Sequence, residues 1–165
     1  YMAARLTSWE AFKAEAPALA EAGEKLLFRL RPQVGWAFIA TLRKDGAPRL
    51  HPISVVRAGG RLYVIIPRSS PKCADLLRDG RYALQAFPPS EGEPAGELYL
   101  AGVAERVDDA GICQAIEAEA GVRVEEGEVL FELLLERAMV TYLVAEGTPE
   151  EHPVHLTWPA ARRGA

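Results

Sequence analysis

Two glycine-bearing dipeptides, Asp45-Gly46 and Gly59-Gly60, punctuate a β-rich stretch from Val34 to Pro67 and constrain the chain more than any other feature. Asp-Gly between apolar runs is a strong hairpin signal, because glycine accepts the positive φ that a tight turn needs. Residues 34–43, 48–57 and 62–67 therefore read as three strands of an antiparallel meander. Leu62, Tyr63, Val64, Ile65 and Ile66 are apolar without alternation, so both faces of the third strand are expected to be covered. In a small barrel one face fills the interior. The other must meet a helix, a ligand or another subunit.

The flanking segments supply helices and further strands. Thr7-Ser8-Trp9-Glu10 reads as a T-x-x-E capping box, and Pro17 suits the first turn of a second helix. Leu19, Gly23, Leu26, Leu27 and Leu30 follow the spacing of one buried helical face, which Arg29, Arg31 and Pro32 close. Ser69-Ser70-Pro71-Lys72 opens a short helix that carries Ala74, Leu76 and Leu77 and stops at Gly80. Residues 81–87 and 97–107 read as strands, separated by a loop rich in proline and glycine. Asp108 is the expected cap of a helix bearing Ile112, Cys113 and Ile116, and 128–145 is read as two strands, the second from Met139 to Val144. The expectation is an α+β fold: a single domain of 1–33, helices packing on a barrel, and 34–165, the barrel itself.

Composition narrows the function. At 165 residues, 49% apolar and 25% charged, the chain is long enough for one self-sufficient core. Its net charge of −4 argues against nucleic-acid or anionic-membrane partners, which call for a basic surface. No apolar run is as long as a membrane span, there is no signal-peptide pattern, and Cys73 and Cys113 form neither a disulfide framework nor a zinc pattern. These features predict a soluble cytoplasmic domain with no metal site. Tyr1 reads as an appended residue before a natural start at Met2.

The richest chemistry lies at Ser69 to Lys72. A helix N-terminus with two hydroxyls and an ammonium beside it suits a phosphate. The alternative is a plain serine cap and a solvated lysine. Arg49, just after the first hairpin turn, can bring a bidentate fork to the same anion, or stand as an ordinary strand arginine. His51 can face a ligand near neutral pH or bond the backbone as a half-buried strand histidine. His152 and His155 sit beside Pro153, which rules out a helix, and three residues apart on a strand they point to opposite faces.

The run from Phe38 to Pro52, FIATLRKDGAPRLHP, resembles the opening hairpin of the pyridoxamine 5'-phosphate oxidase-like FMN-binding split barrels. Gly60-Arg61-Leu62-Tyr63-Val64, Ser69-Ser70-Pro71-Lys72, Asp75-Leu76 and Asp79-Gly80-Arg81-Tyr82-Ala83-Leu84 follow in the family's order. The resemblance covers about residues 34–107. It implies a six-stranded antiparallel split β-barrel with flanking helices, a homodimer, and two FMN sites between subunits. Arg49, Ser70 and Lys72 match the FMN phosphate ligands, with Ser69 as a fourth contact. The backbone of Leu50, His51, Pro52 and Ile53, and of Ile65, Ile66 and Pro67, would border the flavin ring, and Gln85 and Phe87 are further ring contacts. Trp158 and Arg162 lie in a tail resembling the one that reaches the partner's flavin.

The sequence also departs from the true oxidases. A lysine that grips the substrate phosphate is replaced by Ser54, and the helix over 109–120 offers Gln114, Glu117 and Glu119 where basic and hydroxyl residues are expected. The tail lacks their arginine–histidine pair. The resemblance thus points to a small FMN-dependent oxidoreductase acting on another small molecule, with a nicotinamide as a reductant to test. A deazaflavin such as F420 would need more basic residues, and the arginines available, Arg43, Arg57, Arg61 and Arg68, are scattered, which counts against it; a non-catalytic module holding flavin or haem is the rival from another class. Negligible turnover of pyridoxamine 5'-phosphate is expected in an oxidase assay; brisk turnover would contradict the reading of Ser54 and the acidic helix.

Overall fold

The structure is a computed structural model that describes residues 5–159. Helices α1 (Trp9–Glu15) and α2 (Pro17–Leu27) precede strands β1 (Val34–Leu42), β2 (Pro48–Ala58) and β3 (Arg61–Pro67). Helix α3 (Pro71–Arg78) leads to β4 (Arg81–Ala86) and β5 (Gly96–Val107), and α4 (Ala110–Ala120) to β6 (Glu128–Val144) and β7 (His152–Trp158). The sheet order is β3-β2-β1-β4-β5-β6-β7, every pair of neighbours is antiparallel, and β3 pairs again with β6. That last pairing closes β1 to β6 into the expected six-stranded barrel. The two hairpin turns form where Gly46, Gly59 and Gly60 adopt φ of 85°, 55° and 71°.

The barrel interior and the N-terminal helices share one core. Leu62, Val64 and Ile66 of β3 pack inward with Ile39, Leu84, Leu98, Leu100 and Leu133, and Trp9, Phe12, Leu19 and Leu27 belong to the same cluster. Tyr63 and Ile65 face the other way, toward Ile112, Cys113 and Ile116 of α4. Of the three covers left open for the outer face of β3, a helix of the same chain is the one found.

Several local expectations shift. Ser8, not Thr7, caps α1, its Oγ accepting the Ala11 amide, because Thr7 exchanges both backbone hydrogen bonds with Leu135. Asp109 rather than Asp108 caps α4, accepting from the amides of Gly111 and Ile112. Residues 128–144 form one 17-residue strand instead of two, and the tail contributes a further strand, β7. The long strand bends where its register against β5 slips: Ala101 opposes Arg137 and Gly102 opposes Leu135, leaving Glu136 as a bulge. Glycine is required there, since a Cβ on Gly102 would overlap the carbonyl oxygen of Leu134. Gly102→Ala should therefore lower the urea unfolding free energy by about 1–3 kcal/mol or more, the cost of overpacking against fixed backbone; an unchanged midpoint would show that the bulge can move.

Candidate functional site

Antiparallel pairing between β2 and β3 covers only Val56 to Ala58 against Arg61 to Tyr63. Beyond Val56 the two strands part: β2 stays on β1, and β3 turns to β6. The segments 49–55 and 64–67 thus present facing backbone edges that do not pair with each other, which is the split in the barrel. Extending the register along the diverging strands sets Ile53 level with Ile66. Helix α3 follows β3 after a short turn and is joined to β2 where Asp75 pairs with Arg49.

Arg49 is held on one side only. Its Nε donates to Asp75 Oδ2 at 2.7 Å, and among the described residues its two terminal nitrogens make no hydrogen bond. Asp75 is buried, and the same Oδ2 accepts from Thr41 Oγ1 at 2.9 Å. Thr41 stands directly across the ladder from Arg49. Burial pushes the Asp75 carboxyl up, but the bonds from Arg49 and Thr41 outweigh it and hold the group below the ordinary aspartate range. At the start of α3, Ser70 is the N-cap residue, yet its hydroxyl makes no capping bond. Ser69 is exposed and Ser70 and Lys72 are half-buried.

His51 lies on the same face of β2 as Arg49, two residues on. Its Nε2 is buried with no hydrogen-bond partner. Burial pulls its pKa below the usual histidine value, the positive charges of Lys72, Arg49 and Arg43 act in the same direction, and Asp75 opposes them. Two hydroxyls, a guanidinium fork, an ammonium and an unsatisfied imidazole nitrogen make a polar set suited to a phosphate, and the residues present fit such a group.

The alternation of β2 divides the remaining candidates. Ile53 is buried and points into the core, as does Ile66 on β3, so only their backbone can border a ligand in the split. Leu50 and Pro52 point outward; Leu50 is 67% exposed. Phe38 pairs with both Pro52 and Gln85 and stacks on Phe87 with centroids 4.5 Å apart, so these residues form one outer patch. Pro67 is exposed at the end of β3.

The family profile described as pyridoxamine 5'-phosphate oxidase matches residues 23–151. The chain belongs to the pyridoxamine 5'-phosphate oxidase family. No curated protein matches it. Among solved structures it is similar to the Agrobacterium tumefaciens protein Atu2129, of unknown function, at 17% identity and a TM-score of 0.59, covering 75% of this chain and 56% of that one. A haem-binding protein from Mycobacterium smegmatis is 19% identical with a TM-score of 0.55, over 81% of this chain and 57% of that one. A NimC/NimA family protein from Clostridium acetobutylicum is 18% identical with a TM-score of 0.54, over 86% and 98%. The chain thus spans little more than half the length of the first two and nearly all of the third.

Other residues of this family member lie elsewhere. Trp158 donates to Glu15 Oε2 at 3.2 Å and meets the Phe12 ring edge-on, both in its own chain. It pairs with Ala138, ten residues along β6 from the Glu128–Pro67 pair, or roughly 30 Å of strand. Within one chain it is not brought to Arg49. Arg162, Tyr1 and Met2 lie outside the described residues. Glu117 pairs with Arg123, and Glu119 accepts the Gly59 amide. Arg57 is engaged with Gln33, Pro32 and Glu24, and Arg61 with Glu132, which leaves Arg43 and Arg68 nearest the split. His155 bonds Thr141 on β6, and no cluster of three metal-ligating side chains occurs among the described residues. Among the described residues, no helix is long and apolar enough to cross a membrane.

Sequence reasoning passed over Asp75 and Thr41. The available signal was an acid set between Cys73 and Leu76, both on the buried side of a short helix.

His51 gives the site a pH signature. Because its folded pKa is depressed, the unfolded chain binds the extra proton first, and stability falls as pH drops from about 6.5 toward the folded value. Urea unfolding across that window should show the fall in the native protein and a smaller one in His51→Gln; equal slopes would mean that other groups cause it.

Proposed function

We propose that this protein binds FMN in the split between β2 and β3 and acts as a small flavin-dependent oxidoreductase. The observation that carries the reading is the half-tethered Arg49, bound to Asp75 of α3 through Nε while its terminal nitrogens make no hydrogen bond among the described residues. Arg49, Ser69, Ser70 and Lys72 would hold the phosphate. The backbone edges of Leu50 to Ile53 and of Ile65 to Pro67 would border the ring, and His51 Nε2 would gain its missing partner. The flavin supplies hydride or electron transfer when bound, and the chain anchors its phosphate, orients its ring and shields it from water.

A homodimer belongs to this reading. Phe38 and Leu50 are exposed beside Pro52, Gln85 and Phe87 on the outer sheet face, and a second copy seated there would cover them and enclose the ring. Trp158 could then approach a site only from the partner. A nicotinamide is the reductant to test, and Ser54 and the carboxylates of α4 argue against vitamin B6 phosphates as substrates.

One observation favours a second reading. His51 carries a buried, unpartnered ring nitrogen, which would suit a ligand to haem iron, haem being the group named for the Mycobacterium smegmatis protein. Haem needs neither the free fork of Arg49 nor the open hydroxyls of α3, so FMN accounts for more of the site.

Absorption of the purified protein separates the two: a two-band flavin spectrum supports FMN, and a sharp Soret band supports haem. Flavin fluorescence titration then tests the phosphate contacts. FMN should bind more tightly than riboflavin, and Arg49→Ala should weaken FMN roughly 10- to 100-fold, as expected for lost charge-assisted hydrogen bonds. Equal affinity for FMN and riboflavin in the native protein would overturn the phosphate assignment.

A further inference from the structure

An arginine that binds a phosphate with both terminal nitrogens must have its fork aimed before the ligand arrives. A free side chain would lose conformational entropy on binding. Arg49 is aimed by one group. Asp75 Oδ2 takes the Nε hydrogen at 2.7 Å, and among the described residues the terminal nitrogens make no hydrogen bond. Asp75 is itself fixed from two further directions, by the Thr41 hydroxyl at 2.9 Å and by Arg78 Nη2, which reaches Oδ1 at 3.4 Å and also donates to the Leu42 carbonyl. The carboxylate therefore ties β1, β2 and α3 together at the mouth of the split.

We propose that Asp75 is a positioning residue for anion binding: it orients the Arg49 fork toward the start of α3 and so sets the preference for a phosphorylated flavin. The proposal rests on the reading of this site as an FMN phosphate site. Its direction is counterintuitive, because a carboxylate near a dianion repels it. The geometry makes orientation the stronger effect. Asp75 is 3% exposed and spends its oxygens on Arg49, Thr41 and Arg78. A nearby negative charge acting only through space would give the opposite result on removal.

The test is fluorescence titration of FMN and of riboflavin, which lacks the phosphate, with the full-length protein and its variants. Asp75→Ala should weaken FMN roughly tenfold, as expected for loss of one charge-assisted orienting bond, and leave riboflavin unchanged. Asp75→Asn keeps an acceptor oxygen and should retain the preference for FMN. In an Arg49→Ala background, Asp75→Ala should cause no further loss. Tighter FMN binding by Asp75→Ala, or equal losses for FMN and riboflavin, would overturn the proposal. If Asp75→Ala does not fold, Arg49→Lys decides. Lysine keeps the charge but cannot bond Asp75 and present a fork at once, so FMN affinity should fall to near the Arg49→Ala level, and native affinity would overturn the proposal. A native protein that does not distinguish FMN from riboflavin would instead remove the phosphate reading and this inference with it.

Discussion

The structure depends on the way β6 spends its edges. One edge pairs with β5 along nearly its whole length, and the other is shared by three segments in turn. β3 takes Glu128 to Glu132, Thr7 takes Leu135, and β7 takes Ala138 to Val144. Each backbone hydrogen bond contributes only modestly on its own, but an unpaired buried edge would be costly. Pairing β3 with β6 closes the barrel, and the same choice pulls β3 away from β2. The split is thus a consequence of closure.

That divergence creates the chemistry of the site. Had β2 and β3 remained paired along their length, Arg49 would have met its neighbour across a continuous ladder. Instead two backbone edges open where α3 begins. The polar groups gathered there are incompletely satisfied: the Arg49 fork, the Ser70 hydroxyl and the buried His51 nitrogen. Of these, only the His51 nitrogen is fully buried without a partner, a state that buried polar atoms in folded proteins seldom hold.

Much of the fold was legible because local chemistry and tertiary packing agreed. Asp45-Gly46 and Gly59-Gly60 marked turns that form as read, and Ser70-Pro71 marked the start of α3. The misplacements have definite causes. Thr7 matched a capping box but is used by β6, so the cap moved to Ser8. The stretch 128–145 reads as two strands, and the bulge at Glu136 lets one strand run through the bend instead. The tail carried too little apolar pattern to announce β7, which is stable because β6 offers it a ladder.

The sequence alone determined the antiparallel meander, the element order as far as α4 and the start of α3, because turns, caps and apolar periodicity act over a few residues. Tertiary structure decided what those residues do. It placed α4 over the outer face of β3, parted β2 from β3 beyond Val56, and fastened Trp158 to α1 within its own chain. It also buried Asp75 against Arg49 and Thr41. No local pattern encodes that contact, since its partners lie 26 and 34 residues away and meet only when the barrel closes.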